Sequence, residues 1–102
     1  MSVDLLLELV DGSTARRMFG GTGIYAGGRM FALEHGGSLY LKVDDESRGE
    51  FEELGSGPFR PNERQTLRSF YAVPGEVADD DAELAAWAHR AVEAARRAAG
   101  AK

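Results

Sequence analysis

Cysteine is absent from the 102 residues. That removes disulfide frameworks, thiolate metal sites and a cysteine nucleophile together. No stretch approaches the roughly 18 consecutive apolar residues that a membrane-spanning helix needs. An excess of positive charge is missing as well: 12 Lys and Arg face 17 Asp and Glu, for a formal charge of −5. That balance suits solubility and argues against non-specific nucleic-acid binding, which requires clustered cations. Internal repeats and interdomain linkers are lacking. The N-terminus shows no signal-peptide pattern, because it has no basic n-region and Asp4 and Glu8 interrupt its apolar residues. What is present, 43% hydrophobic and 28% charged residues, is the mixture of one ordinary globular domain spanning residues 1–102. A cytoplasmic location, without membrane attachment, is the expectation.

The motifs of common chemistries are equally scarce. Gly20-Gly21-Thr22-Gly23 invites a phosphate-loop reading, and Gly21-x-Gly23-x-x-Ala26 fits a loose dinucleotide fingerprint. Both require a helix N-terminus directly after the glycines. Here Ile24-Tyr25-Ala26 runs into Gly27-Gly28, too short for a helix, and no Lys-Ser or Lys-Thr pair follows. A bend or bulge that re-aims a strand explains the glycines more simply. His35 and His89 have no histidine partner three or four residues away. Asp79-Asp80-Asp81 lacks the ligand alternation of a calcium loop and reads as helix capping. No Gly-x-Ser-x-Gly elbow occurs. These patterns predict no catalytic residue, no metal site and no cofactor, hence no enzyme.

Three segments carry helical signals. Val3, Leu6, Leu7 and Val10 fall on one face of a helix over about residues 2–10, with Gly12 behind it. A short helix over about residues 45–54 has Asp44 as its cap and Gly55 as its stop. A longer one over about residues 81–99 opens on Asp80 and Glu83 in capping-box spacing. Its apolar stripe is Leu84, Trp87, Ala88, Ala91, Val92 and Ala95. Between the first two helices lies a β-meander. Residues 15–19 lead through the glycine cluster into residues 24–26, Gly27-Gly28 turns into residues 29–34, and Gly36-Gly37 turns into residues 38–43. Residues 67–73 form a later strand, with a short partner around Arg60-Pro61. The order α-β-β-β-α-β-β-α with hairpin connections predicts an α+β fold: two layers, a mainly antiparallel sheet, and helices on one face.

Charge is unevenly spread. Residues 12–43 hold Arg16, Arg17, Arg29 and Lys42 against Glu34, and residues 55–75 hold Arg60, Arg64 and Arg68 against Glu63. Either a basic sheet lies beside acidic helices, or these are the scattered charges of a mixed surface. Tyr40 and Lys42 share a strand face opposite Leu39, Leu41 and Val43. Tyr25, Tyr71 and an arginine, Arg16 or Arg17, are candidates to join them on the helix-free side. Such a face suits a protein contact, with packing of the tyrosines at the sheet rim as the plainer alternative. Direct nucleic-acid binding through Arg16, Arg17, Arg29, Tyr40, Lys42 and Arg68 is the competing reading.

The run Ala15-Arg-Arg-Met-Phe-Gly-Gly-Thr-Gly-Ile-Tyr25 resembles the opening signature of the TfoX (Sxy) N-terminal domain family. Gly28-Arg-Met-Phe-Ala32, Leu39-Tyr-Leu-Lys-Val43, Phe70-Tyr-Ala-Val-Pro74 and the closing helix resemble its later blocks. The resemblance implies a two-layer domain similar to secretion chaperones. It also implies a non-enzymatic regulatory role: full-length relatives act on natural-competence genes together with a cyclic-AMP receptor protein and carry a second, C-terminal domain. The chain is expected to be a stand-alone N-terminal domain. The expected partners are a second copy, as a homodimer, and a transcription regulator protein.

Overall fold

Paired glycines set the hairpins. In the computed structural model, which describes residues 3–18 and 20–100, Gly27 and Gly28 hold φ of +61° and +80°, and Gly36 and Gly37 hold +60° and +83°. Two successive left-handed residues give the tight turn whose twist matches flanking strands, and glycine adopts it without steric cost. These turns join β2 (Gly21–Ala26) to β3 (Arg29–His35), and β3 to β4 (Ser38–Lys42). With β1 (Thr14–Met18), β5 (Pro58–Asn62) and β6 (Gln65–Ala72), they make a six-stranded sheet of order β1-β2-β3-β4-β6-β5. Every pairing is antiparallel. The helices are α1 (Val3–Leu9), α2 (Arg48–Glu53), α3 (Gly75–Ala78) and α4 (Asp81–Gly100).

The α+β class and antiparallel sheet match the sequence expectation, and two elements are added. Four strands, not three, precede α2. The glycine cluster does not bend one strand; it closes a hairpin in which Met18 faces Gly21. Gly21 and Gly23 carry no side chain, so the apolar alternation that marks a strand is erased until Ile24. The second addition is α3, a single turn after Pro74 and too short to show a period. Ser2 and Phe19, expected at the start of the first helix and the end of the first strand, lie outside the described residues.

The helices lie on one side of the sheet. Leu6 and Val10, Phe51 of α2, Val77 of α3, and Leu84, Trp87, Ala88, Ala91 and Ala95 of α4 form one buried cluster with Ile24, Phe31, Ala32, Leu39, Leu41, Val43 and Tyr71. The alanines of α4 let its backbone approach β3 and β4 closely. A bulge helps: Ile24 faces Ala32 and Tyr25 faces Met30, leaving Phe31 as an extra residue. Phe31 and Ala32 therefore both reach the helix-side core, where each is fully buried. Phe51 sits edge-on between the rings of Trp87 and Tyr71, at 4.7 and 6.1 Å. Full burial of a side chain of this size contributes about 1.5–3 kcal/mol.

Polar contacts fix the helix starts. The Asp80 carboxylate accepts the N–H groups of Ala82 and Glu83. Asp44, expected as the cap of a helix from about residue 45, instead closes the turn before α2: it accepts the N–H groups of Glu46 and Ser47, the Ser47 hydroxyl accepts the N–H of Asp44, and Ser47 is the N-cap of the helix that begins at Arg48. Asp44 also receives Arg97 from the far end of α4, at 2.5 and 3.1 Å. The arginine hydrogen bond, aided by the Ser47 and Glu46 N–H groups and opposed by partial burial, holds the Asp44 carboxyl at about 2.

Candidate interaction face

Strand alternation sends every second side chain to the side without helices. The register aligns Arg16, Gly23, Leu33, Tyr40 and Ala72 in one row across four pairings. Thr14, Tyr25 and Met30 form the row beside it, and Met18, Gly21, His35 and Ser38 the row on its other flank. This face has its own apolar cluster of Leu33, Phe59 and Phe70, with Met30 and Tyr40 packed against it, and no helical residue belongs to it.

Gly23 is the floor of one wall. A Cβ there would lie 2.8 Å from the sulfur atoms of both Met18 and Met30 and 3.2 Å from the Tyr25 ring. The two methionines and the tyrosine thus pack onto bare backbone. The Tyr25 hydroxyl donates to Met18 Sδ at 3.7 Å, and the Arg16 guanidinium lies 5.7 Å over the Tyr25 ring. On the opposite wall the Phe59 ring meets Tyr40 at 4.6 Å and His35 at 5.2 Å. Lys42 lies 5.2 Å over Phe70. A groove of about 550 Å³ runs between the walls, lined by Met18, Met30, Leu33, Phe59 and Leu67 among others. β1–β2 and β5–β6 are not neighbours in the sheet, so only a curled sheet brings both to one hollow. Leu67 stays 39% exposed there.

The eight residues expected on one face divide. Arg16, Tyr25, Tyr40 and Lys42 lie on the helix-free side. Arg17 shares a row with Thr22, Glu34 and Leu39, and Leu39 is in the helix-side core, so Arg17 is on that side at the sheet edge. Arg29 pairs with Ala26, which packs on the same core, and is exposed there. Arg68 is exposed on β6; its carbonyl accepts the Arg48 Nε–H at 3.4 Å, and its charge acts on the Tyr71 hydroxyl. Tyr71 is the clear correction. It faces Leu41 in the register, is 1% exposed in the helix-side core, and donates its hydroxyl to Glu52 at 2.8 Å. Burial, and then the Glu52 bond, pushes that hydroxyl above its ordinary range.

The residues missed in sequence are the apolar ones: Met18, Met30, Leu33, Phe59, Leu67 and Phe70. One signal was present. Met30 to Leu33 is a continuous apolar run, the mark of a strand covered on both faces, whereas a half-solvated strand alternates. The glycine cluster enters β2, so no helix N-terminus stands behind it to hold a phosphate. His89 of α4 is exposed, with Nδ1 2.9 Å from the Ala85 carbonyl oxygen.

Charge is sorted by layer. The sheet and its turns, residues 14–43 and 57–73, hold seven cations and two carboxylates, for +5 net. The remaining residues hold five cations and fifteen carboxylates, for −10 net. In that remainder each described arginine is paired: Arg48 with Asp45, Arg90 with Glu50, Arg96 with Glu93, Arg97 with Asp44. Among the described residues, none of the seven sheet cations enters an ion pair.

These features define a two-layer α+β domain with one sheet face uncovered by helices, apolar at its centre and carrying Arg16 and Lys42 beside its aromatic rings. Among the described residues no helix is long and apolar enough to cross a membrane. The family model of the TfoX N-terminal domain matches residues 5–95, and the chain belongs to that family. No curated protein matches it.

Proposed function

We propose that this domain is a non-enzymatic regulatory module that binds another protein through the helix-free sheet face, in the control of transcription. The observation that carries the proposal is the apolar groove containing Met18, Met30 and the exposed Leu67, set among cations that lack carboxylate partners in the described residues. Apolar centres with charged rims are the anatomy of protein interfaces. The family points the same way, towards regulators of competence genes that work with another protein at promoters. A homodimer built face to face would oppose Arg16 and Lys42 of one copy to the same cations of the other, and like charges across an interface are costly. The face is therefore assigned to a different protein.

The test compares wild-type chain with Leu67→Asp as bait in host-cell extract. Retention of a transcription regulator by wild type, and its loss on Leu67→Asp, is the expected result; equal retention by both overturns the assignment of the face. Sedimentation at high concentration should show no dimer that Leu67→Asp dissociates.

Direct nucleic-acid binding is the second reading, favoured by the excess of cations over carboxylates in the sheet. Against it, the Tyr40 and Phe59 rings pack on one another and leave no flat platform for a base. Binding to duplex or single-stranded DNA that falls steeply with salt and ignores Leu67→Asp would establish it.

A further inference from the structure

The groove and its surrounding charge specify more than a generic protein contact. We infer that the segment docking there is an acidic peptide with large apolar anchors: one or two Leu- or Phe-like side chains flanked by carboxylates. The inference rests on the open face being a protein-binding surface, and it names the chemistry of what binds. The centre of the groove is thioether, aliphatic and aromatic, from Met18, Met30, Leu33, Phe59 and Leu67. Methionines on a bare-glycine floor can re-pack around anchors of differing shape, which suits a segment read by apolar size more than by hydrogen bonding.

The surroundings then select charge. Arg16 lies beside the Met18–Tyr25 wall, Lys42 beside Phe70, and Arg64 in the turn that joins β5 to β6. Of the two sheet carboxylates, Glu34 borders the groove but belongs to the helix-side row of Arg17 and Leu39 and accepts the Gly37 N–H at 3.0 Å, while Glu63 neighbours Arg64 in the β5–β6 turn. Arg16 and Lys42 have no carboxylate beside them in the rows of the open face. The pairing pattern makes this basic character available. The helical layer uses its described arginines internally, whereas the sheet cations have no carboxylate partner among the described residues. An acidic segment completes them, a basic one is repelled, and a neutral one gains only the apolar contacts.

Three labelled peptides with identical apolar residues, flanked by Glu, Gln or Lys, are titrated against the full chain by fluorescence anisotropy at low and high salt. The Glu peptide should bind about tenfold more tightly than the Gln peptide at low salt, the sum of two or three exposed ion pairs, with the gap closing at high salt. The Lys peptide should show no binding. Leu67→Asp should abolish Glu-peptide binding, and Leu67→Ala should weaken it, with thermal unfolding confirming that both variants fold. Arg16→Gln with Arg64→Gln should reduce the Glu preference and leave the Gln peptide unchanged. Equal binding of the Glu and Lys peptides, or binding that ignores Leu67, overturns the inference. If extract capture remains Leu67-dependent while no Glu preference appears, the acidic chemistry fails and the protein-binding face stands. If neither depends on Leu67, both fail. Displacement of the Glu peptide by DNA at equal charge also overturns it, in favour of nucleic acid.

Discussion

Alanine at Gly21 should damage the domain far more than alanine at Gly23, two residues along the same strand. Neither glycine holds a positive φ, so backbone conformation does not separate them; only the space for a Cβ does. At Gly21 that atom would sit 2.2 Å from the backbone carbonyl oxygen of Glu34 and 3.3 Å from its carbonyl carbon. Those atoms belong to the β2–β3 ladder and cannot retreat without opening it. Overpacking against fixed structure costs about 1–3 kcal/mol, and immobile backbone puts this case at the upper end, ~3 kcal/mol. For a domain near 100 residues that lowers Tm by roughly 10–20 °C. At Gly23 the colliding atoms are the sulfurs of Met18 and Met30 at 2.8 Å. Each ends a flexible chain and can swing away, and alanine also restricts the unfolded state, so the net change stays within about 1 kcal/mol. Thermal unfolding followed by circular dichroism reads both. Equal losses, or a larger loss at Gly23, would mean that β2 does not run against Glu34 as described. Because the Gly23 variant pushes both methionines from their floor, it should also weaken peptide binding while leaving the fold intact.

Other outcomes follow from single contacts. Asp44→Asn keeps the acceptor of the turn before α2 and removes the charge facing Arg97. The carboxyl titrates at about 2 in the fold against 3.8 ordinarily, so its stabilisation is present above pH 4 and is lost as pH falls through 2. That lowering corresponds to ~2 kcal/mol, which solvent screening at the 40% exposed Arg97 reduces to about 1 kcal/mol. Denaturant titrations should show wild type more stable at pH 7 and the two indistinguishable near pH 2; a constant gap would contradict the ion pair. Tyr71→Phe should cost about 1 kcal/mol by chemical denaturation, since Glu52 is exposed and can return to water; a loss several-fold larger would mean the hydroxyl supports more than this bond. Leu67→Asp, at a position 39% exposed, should shift stability by less than about 0.5 kcal/mol in the same assay; a large loss would make Leu67 a core residue and not a docking one.

The fold was legible wherever local chemistry decides it. Gly27-Gly28 and Gly36-Gly37 announce their turns, Asp80 its helix start, and the Leu84 to Ala95 stripe its buried face; Asp44 marks the turn ahead of α2, whose N-cap is Ser47. Legibility failed where a neighbour across the sheet decides. The hairpin before Gly21 was hidden because glycine removes the alternation that marks a strand. Tyr71 lies on the side opposite to the expected one because its face is set by pairing with Leu41, and β6 is irregular: Pro58 faces Tyr71, yet Phe59 faces Leu67. No spacing rule counts through such a shift. The candidate face was half legible. Its cations and Tyr40 stood out by residue type, whereas the groove exists only because the sheet curls to bring Met18 near Phe59 and Leu67.

Methionine methyl resonances give the most direct view of the helix-free face, because Met18 and Met30 both line its groove. On addition of the captured partner, or of the Glu-flanked peptide, both methyl signals should move while those of Val92 on α4 stay in place. Unmoved methionine signals alongside shifts confined to α4 would contradict docking at the open sheet and transfer binding to the helical layer.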